Sequence, residues 1–208
     1  MKTLTTFFLF FCLISFNYVS HSQISKQFSN PSTLNYLERN AIYDYQEVNL
    51  NAIDTIPDYA NKENKLKIFG TIFESDGTTP AENVLLYIEQ TDEFGDFDLR
   101  KHESKRYVHH RAWIKTDSNG RYTIYTFIPG NDRRYNLLKQ LFPVIKAPSY
   151  SEYVLESFLF NDDPLLTKLC RKRLAKKGDI TRILNPIPHN DILVVEKNII
   201  LKSKKANL

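Results

Sequence analysis

Apolar and polar residues alternate in "KLKIFGTIFES", residues 65–75, and the same period of two returns in later stretches of the chain. Successive side chains of an extended backbone point to opposite faces, so this pattern dictates strands with one buried face. "RAWIKTD" at 111–117 and "RYTIYTFIPG" at 121–130 repeat it, rich in β-branched and aromatic residues, and "VLLYIEQ" at 84–90 reads as a further strand. The turn formers "DGTTPAEN" at 76–83 and "SNG" at 118–120 separate them, the second closing a hairpin. Further strands are expected within "EYVLESFLF", 152–160, and "DILVVEKNIIL", 191–201. Strands this close in sequence and joined by turns predict a mainly β chain folded as an antiparallel β-sandwich.

One helix is expected to interrupt the strands, over residues 164–177 in "NDDPLLTKLCRKRLAKKG". Asp163 would cap it, Pro164 would take its first position and Gly178 would end it. Leu165, Leu166, Leu169 and Leu174 would form its inward stripe. Its lysines and arginines lie toward the C-terminus, where the helix dipole favours them, and read as a solvated face. Cys170, beside the stripe, reads as a small buried hydrophobe.

The first residues, "MKTLTTFFLFFCLISFNYVSHSQ", combine a positive start at Lys2, an apolar core from Phe7 to Phe16 and small residues at Ser20 and Ser22. That is an export signal, too short to span a membrane, with cleavage expected after Ser22. Residues 23–64 form a polar leader that either packs on the domain or stays loose, with a short helix suggested around 34–44. Residues 65–203 make the domain and 204–208 a tail, and the expected location is periplasmic or extracellular. Beyond Cys12 in the signal, only Cys170 remains, so the domain depends on its apolar core rather than on a disulfide. The formal charge of +4 is too small and too localised to indicate nucleic acid.

The run "IFGTIFESDGTTPAENVLLYIEQTDEFGDF", followed by "RAWIKTDSNGRYTIYTFIPG", resembles the intradiol ring-cleavage dioxygenases. Thr116–Tyr122 match the family's T-D-x-x-G-x-Y hairpin and Asp162–Pro164 its D-D-P motif; "DDPLLT" also occurs in a secreted branch. The resemblance covers about residues 66–166. It implies a prealbumin-like β-sandwich and an enzyme that opens catechol-type rings with ferric iron, held by two tyrosinates and two histidines. Anionic phenolates suit the ferric state, and the histidines stand at i and i+2 because that spacing puts both on one face of a strand.

Carried over position by position, that ligand set is gone. The first tyrosine position is Phe97, the second Asp132, and the histidine pair falls on Gln140 and Phe142; the substrate-positioning arginine of many members falls on Leu137. No catalytic residue and no metal are expected, and the family's Fe(3+) is not expected as a cofactor. The former pocket around Phe97, Asp132, Gln140 and Phe142 is expected to be filled, or adapted to a small aromatic or neutral ligand. Two alternatives stay open: an enzyme using displaced ligands such as Tyr107, His109 or Tyr135, and a transthyretin-like adhesion or display module. His109 and His110 are adjacent; on a strand they would point to opposite faces, and no third converging ligand is visible beside them.

Overall fold

A computed structural model describes residues 35–45, 50–148 and 150–203. The expected export signal, 1–22, and the expected tail, 204–208, lie outside these residues.

The expected strands form β2 (Lys65–Phe73), β3 (Leu85–Gln90), β6 (Arg111–Lys115), β7 (Arg121–Phe127) and β8 (Gln140–Lys146). Three further strands come before and between them: β1 (Ile53–Thr55), and the hairpin β4 (Leu99–His102) and β5 (Lys105–Val108). Later come β9 (Tyr153–Val154), β10 (Phe158–Phe160), the helix α1 (Lys168–Lys176), β11 (Ile183–Leu184), β12 (Ile187–His189), β13 (Ile192–Glu196) and β14 (Ile199–Ile200). One sheet runs β1-β7-β2-β13-β12, with β14 also on β2; the other runs β11-β10-β8-β3-β6, with β9 on β8. The fold is therefore the mainly β sandwich expected. Its central pairings, β2–β7, β3–β6 and β3–β8, are antiparallel. Its sheets are nonetheless mixed, because β1 joins β7, β13 and β14 join β2, and β11 joins β10 in parallel.

Alternation sets the core. Every second residue of β2 is buried, and Leu66, Ile68 and Ile72 meet Leu86 and Ile88 of β3, Ile114 of β6, Ile124 of β7 and Leu141 and Ile145 of β8. Each such aliphatic side chain contributes about 1.5–3 kcal/mol of burial. The leader enters this core. Ile56 is 1 % exposed within it, and β1 lines up Ile53–Thr55 beside Thr123–Tyr125. In place of a helix near residues 34–44, a turn leads into a 3-10 segment, Ala41–Tyr43, capped by the Asn40 side chain on the Ile42 N–H.

Two expected strands are each split in two, for identifiable reasons. Residues 191–201 run parallel along one edge of β2, and the pairing breaks beside Gly70, where an added Cβ would lie 2.2 Å from the Lys197 carbonyl oxygen. At this break, the Tyr122 hydroxyl donates to that same oxygen at 2.6 Å, and the Thr71 N–H donates to the Asn198 side chain at 2.7 Å. β9 and β10 in turn pair with β8 on either side of Pro143, which has no N–H to offer the ladder.

The helix is shorter than expected and begins at Lys168. Thr167, not Asp163, caps it, accepting from the Cys170 N–H at 3.2 Å. The Asp163 carboxylate is committed elsewhere: it accepts from the Lys139 N–H at 2.7 Å, the Leu165 N–H at 2.9 Å and the Asn131 side chain at 2.9 Å. The inward stripe reduces to Leu166, which is buried, with Leu165 and Leu174 half-buried, whereas Leu169 is 57 % exposed. Cys170 is only half-buried and touches the Thr167 hydroxyl.

Candidate functional site

The loop after β3 carries Phe97, and the β7–β8 connection carries Asp132. Backbone contact holds the two together: the Gly130 N–H donates to the Asp92 carbonyl at 2.7 Å. An alanine Cβ at Gly130 would lie 2.4 Å from the Gly95 nitrogen and 2.5 Å from the Glu93 carbonyl oxygen, so only glycine admits this approach. Gln140 and Phe142 stand two apart on the half-buried face of β8, as a ligand pair on that strand would. The Phe97 and Phe142 rings pack with centroids 5.6 Å apart.

Asp132 is buried at 6 % exposure and fully engaged. Its Oδ2 accepts from Arg134 Nη2 at 2.7 Å, its Oδ1 accepts from the Arg134 backbone N–H at 2.8 Å, and Arg134 reaches on to Asp96 at 3.1 Å. The Arg134 guanidinium holds the Asp132 carboxyl below its ordinary range, against the opposing effect of burial. This donor set does not fit ferric iron: two phenyl rings offer no lone pair, and the one carboxylate is already neutralised by a guanidinium.

Two clefts lie elsewhere, on the flank that the leader covers, and none of these four residues lines either. One, about 420 Å³, has Asp54, Tyr107, His109, Arg111 and Trp113 in its wall. The other, about 370 Å³, is bounded by Tyr36, Arg39 and His102. Asp44 and Arg111 border both. The Arg111 guanidinium lies 3.9 Å from the Tyr107 ring centre and 4.7 Å from that of Trp113. Asp44, nearly inaccessible, pairs with Arg39 and Lys105, each at 2.7 Å. The displaced ligands proposed for an alternative enzyme separate: Tyr107 and His109 line one cleft, while Tyr135 is 81 % exposed on the β7–β8 connection.

The histidine pair departs from the sequence expectation. His109 and His110 occupy bends between β5 and β6 rather than a strand, so strand alternation does not apply to them. Their rings lie on a common side, centroids 5.3 Å apart, and Asp58 of the leader joins them with its Oδ2 3.1 Å from His109 Nε2 and 3.4 Å from His110 Nε2. Burial, with Lys62 and His109 adding to it, pushes the His110 imidazole below the ordinary histidine range. Asp58 is the residue that sequence reasoning missed; it lies 51 positions from His109, and no local pattern links them.

At the level of sequence, no family model and no curated protein matches the chain. Solved structures do. The dioxygenase domain of a dioxygenase–carbohydrate-binding fusion from Streptomyces sp. SirexAA-E superposes with a TM-score of 0.57 at 17 % identity, over 76 % of this chain and 92 % of that one. The intradiol ring-cleavage dioxygenase from Tetranychus urticae superposes with a TM-score of 0.55 at 16 % identity, over 79 % and 94 %. The chain has the intradiol dioxygenase fold. It also matches the mercury-inhibited catechol 1,2-dioxygenase from Acinetobacter sp. ADP1 with a TM-score of 0.53 at 15 % identity, over 74 % of this chain but only 59 % of that enzyme. Likeness at this identity fixes the architecture; the chemistry on the intradiol dioxygenase fold has to be read from the side chains.

Proposed function

We propose that this is an exported protein of the intradiol dioxygenase type that has lost ferric iron and ring cleavage and keeps a binding or structural role. One observation carries the reading. Where the resembling family holds iron, the Phe97 and Phe142 rings pack on each other and Asp132 is bound by Arg134. Export rests on the pattern of residues 1–22. Among the described residues no helix is long and apolar enough to cross a membrane.

The binding role belongs in the 420 Å³ cleft, which falls within the roughly 300–1,000 Å³ of small-molecule sites. Its Tyr107–Arg111–Trp113 stack offers flat aromatic faces and a guanidinium edge, suited to a small aromatic or neutral ligand. Iron analysis of the purified chain with a catechol turnover assay tests the loss of chemistry: no stoichiometric iron and no ring-opened product are expected. A ferric protein with a tyrosinate-to-metal visible band would overturn it. Trp113 is the only tryptophan, so saturable quenching of its fluorescence by neutral aromatic compounds is the expected sign of binding in the cleft.

A further inference from the structure

We propose that Asp58, His109 and His110 form a binding site for a divalent transition metal, with Zn²⁺ the cation best suited to it. Among the described residues this is the one group of three such side chains whose donor atoms all lie within 4.8 Å of one another. Zinc binds nitrogen and oxygen donors at about 2.0–2.2 Å, which in a tetrahedron puts neighbouring donors about 3.4 Å apart. The two separations from Asp58 Oδ2, 3.1 Å and 3.4 Å, fall around that value. Two imidazoles and a carboxylate make a three-ligand set that leaves the fourth position to water.

His110 supplies an independent argument. It is 2 % exposed, yet neither of its ring nitrogens has a hydrogen-bond partner. The Asp58 Oδ2 lies 3.4 Å from its Nε2 without forming a hydrogen bond to it, and that oxygen is already bonded to His109 Nε2. Buried polar atoms are ordinarily satisfied, and an orphan costs about 1–3 kcal/mol. A cation at the centre of the triad takes up the lone pair of one of the two His110 nitrogens, Nε2, which faces Asp58, and relieves that nitrogen's cost. The scaffold is also fixed: the His109 N–H donates to the Asp98 carbonyl at 2.8 Å, the His110 carbonyl accepts from the Gln90 N–H at 3.1 Å, and the His110 ring stands edge-on to Phe127 at 5.0 Å. Asp58 holds a left-handed backbone, φ 66°, just before the 3-10 turn Tyr59–Asn61. Because His109 also lines the 420 Å³ cleft, the metal would sit at its rim.

The test strips the full-length protein with a chelator and titrates it with Zn²⁺ by calorimetry, then with Co²⁺ by visible absorption. One Zn²⁺ per chain, a rise in melting temperature with Zn²⁺ and the d–d bands of four-coordinate Co²⁺ are expected. His109→Ala and Asp58→Asn alter side chains that are not fully buried. Each is expected to weaken Zn²⁺ more than about 100-fold, beyond the ~10–100-fold effect of an outer-sphere change. His110→Gln should do the same if it folds, and the other two variants decide if it does not. Phe142→Ala serves as the control and should leave affinity unchanged. Zn²⁺ binding that survives both Asp58→Asn and His109→Ala, or no saturable binding by the folded chain, overturns the site. Neither result bears on the iron-loss reading, which stands or falls on the ferric band and catechol turnover.

Discussion

At the β7–β8 end of the sandwich, three of the four positions matching the resembling family's iron ligands hold groups whose contacts are made locally. Ring packs on ring between Phe97 and Phe142, and Asp132 folds back onto Arg134, two residues away. On the leader-covered flank the polar groups come from far apart in the chain, and one of them, His110, is buried with neither ring nitrogen satisfied. Both regions lie next to the β3–β4 loop, yet one is packed while the other gathers donors. The difference teaches that a shared fold does not by itself fix where polar donors gather, and that the residues to examine are those whose local needs the fold leaves unmet.

The largest effect should come from the scaffold of the filled region. Gly130→Ala drives a Cβ into three backbone atoms of residues 93–95 at 2.4–2.6 Å, and backbone cannot swing away as a side chain can. A loss of about 4 kcal/mol, or failure to fold, is expected in urea denaturation. A variant within about 1 kcal/mol of the parent would mean that the two loops need not touch, and the packing reading would lose its frame.

Next is the anchor of the leader. Asp44→Ala removes the carboxylate between Arg39 and Lys105 and leaves two largely buried cations facing each other's field. Breaking a buried pair costs about 3–5 kcal/mol, and the partial exposure of both cations reduces this to about 2–3 kcal/mol. Faster proteolytic cleavage near residues 35–45 should accompany it. Unchanged cleavage would show that the flank is not fastened by this ion pair.

Phe142→Ala is smaller. The ring is half-buried against Phe97, so about 1–2 kcal/mol is expected, below the 3–5 kcal/mol of a fully enclosed phenylalanine. A gain in stability would mean the ring is strained there rather than packed.

The strands that face the core were legible because burial on one side imposes a period of two, as β2, β6 and β7 show, while β3, buried over Leu86–Ile88 on both faces, was legible as a short apolar run. The β4–β5 hairpin was not. β4 is exposed along its whole length, so no face had to be apolar, and Glu103 and Ser104 turn it with φ of 43° and 71° without a glycine. β1 was missed because its three residues are recruited by the edge of β7, a non-local pairing. The four positions Phe97, Asp132, Gln140 and Phe142 were assigned through family motifs; in the structure Gln140 and Phe142 share the half-buried face of β8 and the Phe97 ring packs on Phe142. Arg134 as the partner of Asp132 lay within reach of sequence reasoning, being two residues away. The Asp58–His109–His110 cluster was not, since it depends on a bend that periodicity cannot reveal and on a leader residue placed by tertiary packing.

The smallest effect tests whether Asp132 is a structural acid. Its folded carboxyl is held below the ordinary value by Arg134, so the ionised form is the one the fold prefers. The stability it contributes is therefore complete above the unfolded value, about pH 3.9, and fades as pH falls through the lower folded value. Asp132→Asn has no such titration. The difference in urea midpoint between parent and variant should stay constant from neutral pH down to about 5 and shrink only below about 3.9. Were the gap to close instead near neutral pH, the carboxyl would have to be raised rather than lowered. Arg134 would then not be its partner, and Asp132 would be free to act as a donor after all.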